Sequence, residues 1–136
     1  AMPQDRDGPA ALAAELSGAL KELHRALIRA EVGDDPALSN RYTMLFALIG
    51  DPRFSWMGGL SELIARIDQT VADGEAAEPG ALAALRDEAA GLIGEKGTAA
   101  AAEFRLHHLM ALQKEPEVGL ATGRLRKAVA KLAEPR

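Results

Sequence analysis

Prolines and glycines cut this chain into pieces that fit helices and little else. Pro9, Pro36, Pro52, Pro79 and Pro116 each stand just before a helical pattern, and Gly33, Gly50, Gly74 and Gly94 each stand just after one. Proline suits a first helical turn, where its missing N–H would have had no partner. Glycine suits a helix end, because it adopts the left-handed conformation at low cost. Asp35 and Asp51 directly precede prolines and can act as N-caps. Alanine and leucine dominate and β-branched residues are sparse, which favours helix over strand.

The apolar spacing between these marks predicts six helices. The first runs from about Pro9 to Val32, with Leu12, Leu16, Leu20, Leu23 and Leu27 spaced 4, 4, 3 and 4 apart on one stripe. The second runs from about Pro36 to Ile49, with Leu38, Tyr42, Leu45 and Ile49 as its main stripe. Met44, Phe46 and Leu48 make its later part apolar all round, and such a helix is usually buried all round. The third runs from about Pro52 to Asp73, with Leu60, Leu63, Ile64, Ile67 and Val71 inward and Gly58–Gly59 loosening its first turns. The fourth spans about Pro79 to Ile93. The fifth follows a Thr98 cap to about Lys114, and the sixth spans about Pro116 to Leu132. No strand pattern and no internal repeat appears.

The expectation is therefore an all-α, single-domain bundle of five or six helices with mostly antiparallel neighbours. Residues 9–133 form the bundle, and residues 1–8 and 134–136 are tails, with Ala1 ahead of Met2 read as a cloning remnant. The second helix and the start of the third are expected at the centre of the core. That stretch holds every aromatic residue except Phe104: Tyr42, Phe46, Phe54 and Trp56.

Composition narrows the function classes. A chain of 136 residues is long enough to build its own core. It has no cysteine, which removes thiol catalysis, thiolate metal sites and disulfides together, and suits the cytoplasm. The early acids Asp5, Asp7 and Glu15 do not fit a signal peptide, and no apolar run approaches the roughly 18 residues of a membrane span. The net charge of −4 argues against nucleic acid as the main partner. Charge is also segregated. Asp68, Asp73, Glu75, Glu78, Asp87 and Glu88 crowd one stretch, while Arg124, Arg126, Lys127, Lys131 and Arg136 crowd the end. Either these faces attract each other within the fold, or an acidic patch on one copy meets a basic patch on another.

Candidate chemistry is thin. Glu103 and His107 lie four apart on one helix face, and a metal site would need His24 to join them in space. His107 and His108 point about 100° apart and do not easily share an ion. Gly59-Leu60-Ser61 opens like a nucleophile elbow but lacks the second glycine and the strand. Gly94-Glu95-Lys96-Gly97-Thr98 lacks the order of a phosphate loop. Asp68 comes nearest to an acid in apolar surroundings and reads as a helix-packing residue. No cofactor is implied, and no enzyme constellation is legible.

The segment around Trp56 is the strongest remaining candidate for a ligand site or an interface: Tyr42, Phe46, Phe54, Trp56, Met57, Gly58 and Gly59. Phe54 and Met57 fit the inward stripe and Trp56 does not. Either Trp56 closes the core against the first or fifth helix, or it lines a groove or dimer surface, with Gly58–Gly59 admitting a close approach. The first reading of function is a non-enzymatic bundle acting by protein–protein contact or self-association. The second is a small-molecule binder with an apolar pocket near Tyr42, Phe46, Trp56 and Met57.

Two stretches carry a family resemblance. Asp51-Pro52-Arg53-Phe54-Ser55-Trp56 with Leu60-Ser61-Glu62-Leu63-Ile64-Ala65-Arg66-Ile67-Asp68 is one, and Leu112-Gln113-Lys114-Glu115-Pro116-Glu117-Val118 with Leu125-Arg126-Lys127-Ala128 is the other. With these the chain resembles a family of small, uncharacterised bacterial all-helical proteins, over most of its length from Leu23 onward. It departs at Gly58–Gly59, where a larger residue and a proline are expected. The resemblance implies the helical fold and brings no activity or site residues with it.

Overall fold

A leucine-lined first helix organises the molecule. In the computed structural model, which describes residues 8–33, 35–38, 40–94 and 99–133, α1 spans Pro9–Val32. Its buried residues, from Ala13 and Leu16 through Leu20, Leu23 and Leu27 to Ala30, cover about half its circumference at 100° per residue. That wide face meets two partners. α6 (Pro116–Ala133) packs along α1 through Val118, Ala121, Leu125 and Ala128, and α3 (Gly58–Ala72) packs through Leu60, Leu63 and Ile67. α4 (Ala81–Leu92) touches α3 and α6 with Leu85 and Ala89 buried, and α5 (Ala99–Lys114) closes the remaining side.

The chain is a single all-α domain, 86% helical, with six α-helices and no strand among the described residues. Gly33, Gly74 and Gly94 adopt positive φ where helices end, at 56°, 71° and 94°. Gly80, with φ 82°, does the same at the start of α4. These are conformations that a side chain would strain. Thr98, Asp34 and residues 1–7 and 134–136 lie outside the described residues.

Two expected helices begin later than their prolines. Pro36–Leu38 and Pro52–Met57 are short 3-10 segments, and the α-helices after them start at Arg41 and Gly58. In the second case the glycine pair marks the change of helix type. A Cβ at Gly58 or Gly59 would meet no atom within 4 Å, so neither glycine makes room for another part of this fold.

The placement of α2 (Arg41–Gly50) corrects the expected core. None of its residues is buried, and its extensive contacts are with the two flanking 3-10 segments. The start of the third element is central as expected, with Phe54, Trp56 and Met57 all buried. The physical reason for the miss is a helix restart. The Asn40 side chain accepts hydrogen bonds from the Tyr42 and Thr43 amides, at 2.7 and 3.4 Å, and so caps a new helix at Arg41. Leu38 therefore belongs to a separate turn, and the register counted from it does not carry through to Tyr42, Leu45 and Ile49.

Charged side chains decorate this frame. Arg124 and Lys131 of α6 meet Glu22 and Glu15 of α1, at 2.6 and 2.9 Å. Arg66 of α3 pairs with Glu88 of α4. Two of the basic residues near the end of the chain, Arg124 and Lys131, thus find partners on α1 within the same molecule. Each such exposed pair contributes at most about 1 kcal/mol.

A candidate interaction surface on the second helix

α2 has two apolar faces. At 100° per residue, Met44, Ala47 and Leu48 share one side, while Tyr42, Leu45, Phe46 and Ile49 share the opposite side. Met44, Ala47 and Leu48 are half-buried, with Ala47 and Leu48 packed against the core. Tyr42, Leu45, Phe46 and Ile49 are 67%, 50%, 71% and 75% exposed. Isolated exposed apolar side chains are ordinary; four at positions i, i+3, i+4 and i+7 form a contiguous stripe.

α5 repeats the pattern. Phe104, His108 and Ala111 face inward and are buried, while Leu106, Leu109 and Met110 stand out on the far side and are exposed. By contrast the outward sides of α1 and α3 carry Glu15, Lys21, Arg25, Glu62 and Arg66.

Trp56 closes the core against the fifth helix and is only 8% exposed. Its ring stacks on His107 with centroids 4.6 Å apart and planes within 10°, and meets Phe104 at 5.4 Å in a tilted arrangement. An open cleft of about 120 Å³ beside this cluster is bordered by Leu27, Trp56, His107 and Met110. The expected pocket of Tyr42, Phe46, Trp56 and Met57 is not formed. Trp56 and Met57 are buried, Trp56 against α5, while Tyr42 and Phe46 face solvent on α2, so the four do not line one enclosed space.

The three weak metal candidates stay apart. His24 Nε2 lies 3.1 Å from Ser61 Oγ, between α1 and α3, while His107 stacks on Trp56. Among the described residues no group of three or more histidines and acids is placed to hold an ion. His24 borders an open groove of about 430 Å³ with Lys21, Ile28, Ser61 and Ile64. Burial holds its pKa below the usual 6.5.

His108 is the buried histidine. Its Nε2 lies 2.8 Å from Thr122 Oγ1, and that hydroxyl donates its single proton to the Val118 carbonyl at 2.7 Å. The hydroxyl therefore accepts from His108, which fixes the Nε2–H tautomer of the neutral ring. Burial, and secondly the positive charge of Arg126, push the His108 pKa down. Asp68 goes the other way from a catalytic acid. Ser17 donates to it at 2.6 Å and Lys21 pairs with it at 3.0 Å, and these hold its carboxyl below the usual carboxylate range. It acts as a clip between α1 and α3.

The outer stripe of α2 was partly legible. Tyr42 and Phe46 are among the candidate interface residues of the sequence, yet Tyr42 shares its expected inward stripe with Leu45 and Ile49. The signal that separates the two outcomes is Asn40, a strong N-cap residue one position before Arg41. Compared with protein families, characterised proteins and solved structures, the chain shows no significant match to any.

Proposed function

We propose that this chain is a non-enzymatic helical module that works by holding another polypeptide on the outer face of α2. One observation carries the reading: a helix with an apolar stripe on each side, of which only one is used by the fold. Tyr42 and Phe46, at roughly 150–250 Å² of side-chain surface each, together with Leu45 and Ile49 make an exposed apolar patch on the order of 450 Å². Folding gains little from that patch, since its side chains bury little within the chain. Aromatic residues ringed by aliphatic ones are also the side chains enriched where protein partners dock.

The test is photo-cross-linking in the native host. A benzophenone amino acid replaces Leu45 on α2 in one variant and the exposed Glu62 on α3 in another. The expected result is a polypeptide adduct from position 45 and none from position 62. Absence of any polypeptide adduct at position 45 overturns the reading.

A further inference from the structure

We infer that the occupant of this face is a second copy of the chain, docked α2 against α2 in antiparallel fashion about a two-fold axis. The inference rests on the protein-contact reading above and names its partner. The stripe is self-complementary. With the axis between Leu45 and Phe46, Tyr42 of one copy lies opposite the partner's Ile49, and Phe46 lies opposite the partner's Leu45. Each aromatic ring then meets an aliphatic side chain, so large groups interleave with smaller ones across the axis.

Charge agrees with the direction. Arg41 stands at the N-terminal end of its own helix, where the helix dipole already supplies positive charge and disfavours it. Ten residues make a helix about 15 Å long, and antiparallel pairing places Arg41 beside the partner's Gly50 at the negative C-terminal end. The acidic Asp51 follows there. A parallel pairing would instead set the two Arg41 side chains together.

Area sets the strength. Stable pairs bury roughly 600–1,000 Å² per partner. An apolar patch on the order of 450 Å², with a rim of Arg41, Thr43 and Gly50, reaches the lower end of that range. A contact at that small end is expected to be a reversible one, dissociating in the micromolar range.

Sedimentation equilibrium of the full chain tests this directly. A monomer–dimer equilibrium in the micromolar range is expected, and Phe46→Asp should raise the dissociation constant at least about 100-fold. Phe46 is exposed in the monomer, so the circular dichroism and melting of the dilute variant should match the parent. The chain has no cysteine, which gives an independent readout. Leu45→Cys should yield a covalent dimer with a short thiol-reactive cross-linker, and Leu106→Cys on α5 should not.

A chain that stays monomeric at several hundred micromolar overturns the inference. So does a dimer that Phe46→Asp leaves intact, or one trapped through Leu106→Cys and not Leu45→Cys. Binding of the monomer to phospholipid vesicles, lost in Phe46→Asp, would assign the face to a lipid surface instead. A monomer whose position 45 still cross-links to a different polypeptide would sink self-pairing and leave the protein-contact reading standing.

Discussion

Arg41–Gly50 and Pro52–Ile67 adjoin in the chain, are both strongly apolar, and end in opposite surroundings. The second stretch delivers Phe54, Trp56, Met57, Leu60, Leu63 and Ile67 into the core. The first delivers no buried residue at all. The difference lies in what each stretch can be packed against. α3 lies along the broad leucine face of α1, so every inward residue meets a partner. α2 is short and bracketed by two 3-10 segments, and its inner face of Met44, Ala47 and Leu48 already covers what its neighbours expose. Its remaining apolar stripe is left exposed and packs on no other element among the described residues. Apolar content alone thus does not decide burial; a matching free face does.

The largest expected contrast is between the aromatic residues of the two stretches. Trp56→Ala removes a ring packed on Phe104 and His107 and should cost about 3–5 kcal/mol of stability. Phe46→Ser on the exposed face should stay within about 0.5 kcal/mol. Urea unfolding of dilute protein followed by circular dichroism measures both. Equal losses would mean that α2 is as integral to the core as the segment after it.

A second contrast concerns how α2 is held. Its N-terminus depends on Asn40, and loss of a cap costs about 1 kcal/mol. In Asn40→Ala the amides of α2 should lose hydrogen-exchange protection, while those of α1 and α3 keep theirs. Uniform loss across all helices would show that α2 unfolds only with the whole domain.

What the sequence made legible follows the same division. Six helices, their approximate ends and the leucine face of α1 all came from periodicity and from prolines and glycines. Those signals are local, and the fold follows them except at Pro36 and Pro52, where a 3-10 segment comes before the α-helix. The direction in which α2 faces was not legible, because a helix apolar all round gives periodicity no side to choose. Trp56 illustrates the complementary case. It lies off the stripe set by Phe54 and Met57, yet it is buried against α5, and its spacing of 4, 3 and 4 through Leu60 and Leu63 to Ile67 is that of one inward helix face. The Glu103, His107 and His24 grouping failed for another reason: a shared helix face says nothing about which distant helix stands opposite.

A pH-dependent effect separates the buried interior from the surface further. His108 is neutral and held by Thr122, and its pKa lies below its unfolded value of 6.5. The unfolded chain therefore takes up protons below that pH before the folded chain does, and stability falls as the solution is acidified from about 6.5. His24 contributes in the same direction. Asp68 and Glu88, held low by their partners, add their own loss only at more acid pH, below their ordinary values of 3.8 and 4.5. His108→Gln keeps a donor toward Thr122 and cannot titrate, so its melting temperature should fall less between pH 7 and 5 than that of the parent. An unchanged slope would place the titrating group elsewhere.

The smallest expected effect lies at the border between the two stretches. Gly59 occupies the first turn of α3 with negative φ, and a Cβ built there meets nothing within 4 Å. Alanine fits this backbone and restricts the unfolded chain more than glycine does, so Gly59→Ala should stabilise the domain by about 0.5 kcal/mol. The sign matters more than the size. A gain, read by urea unfolding, means that the glycine pair only softens the passage from the 3-10 segment into α3. A loss would mean that the space above Gly59 is occupied in solution by something outside this fold, such as a second copy. Repeating the measurement well below and well above the dimer dissociation constant separates the two: an effect of the monomer is the same at both concentrations, and an effect of contact between copies appears only at the higher one.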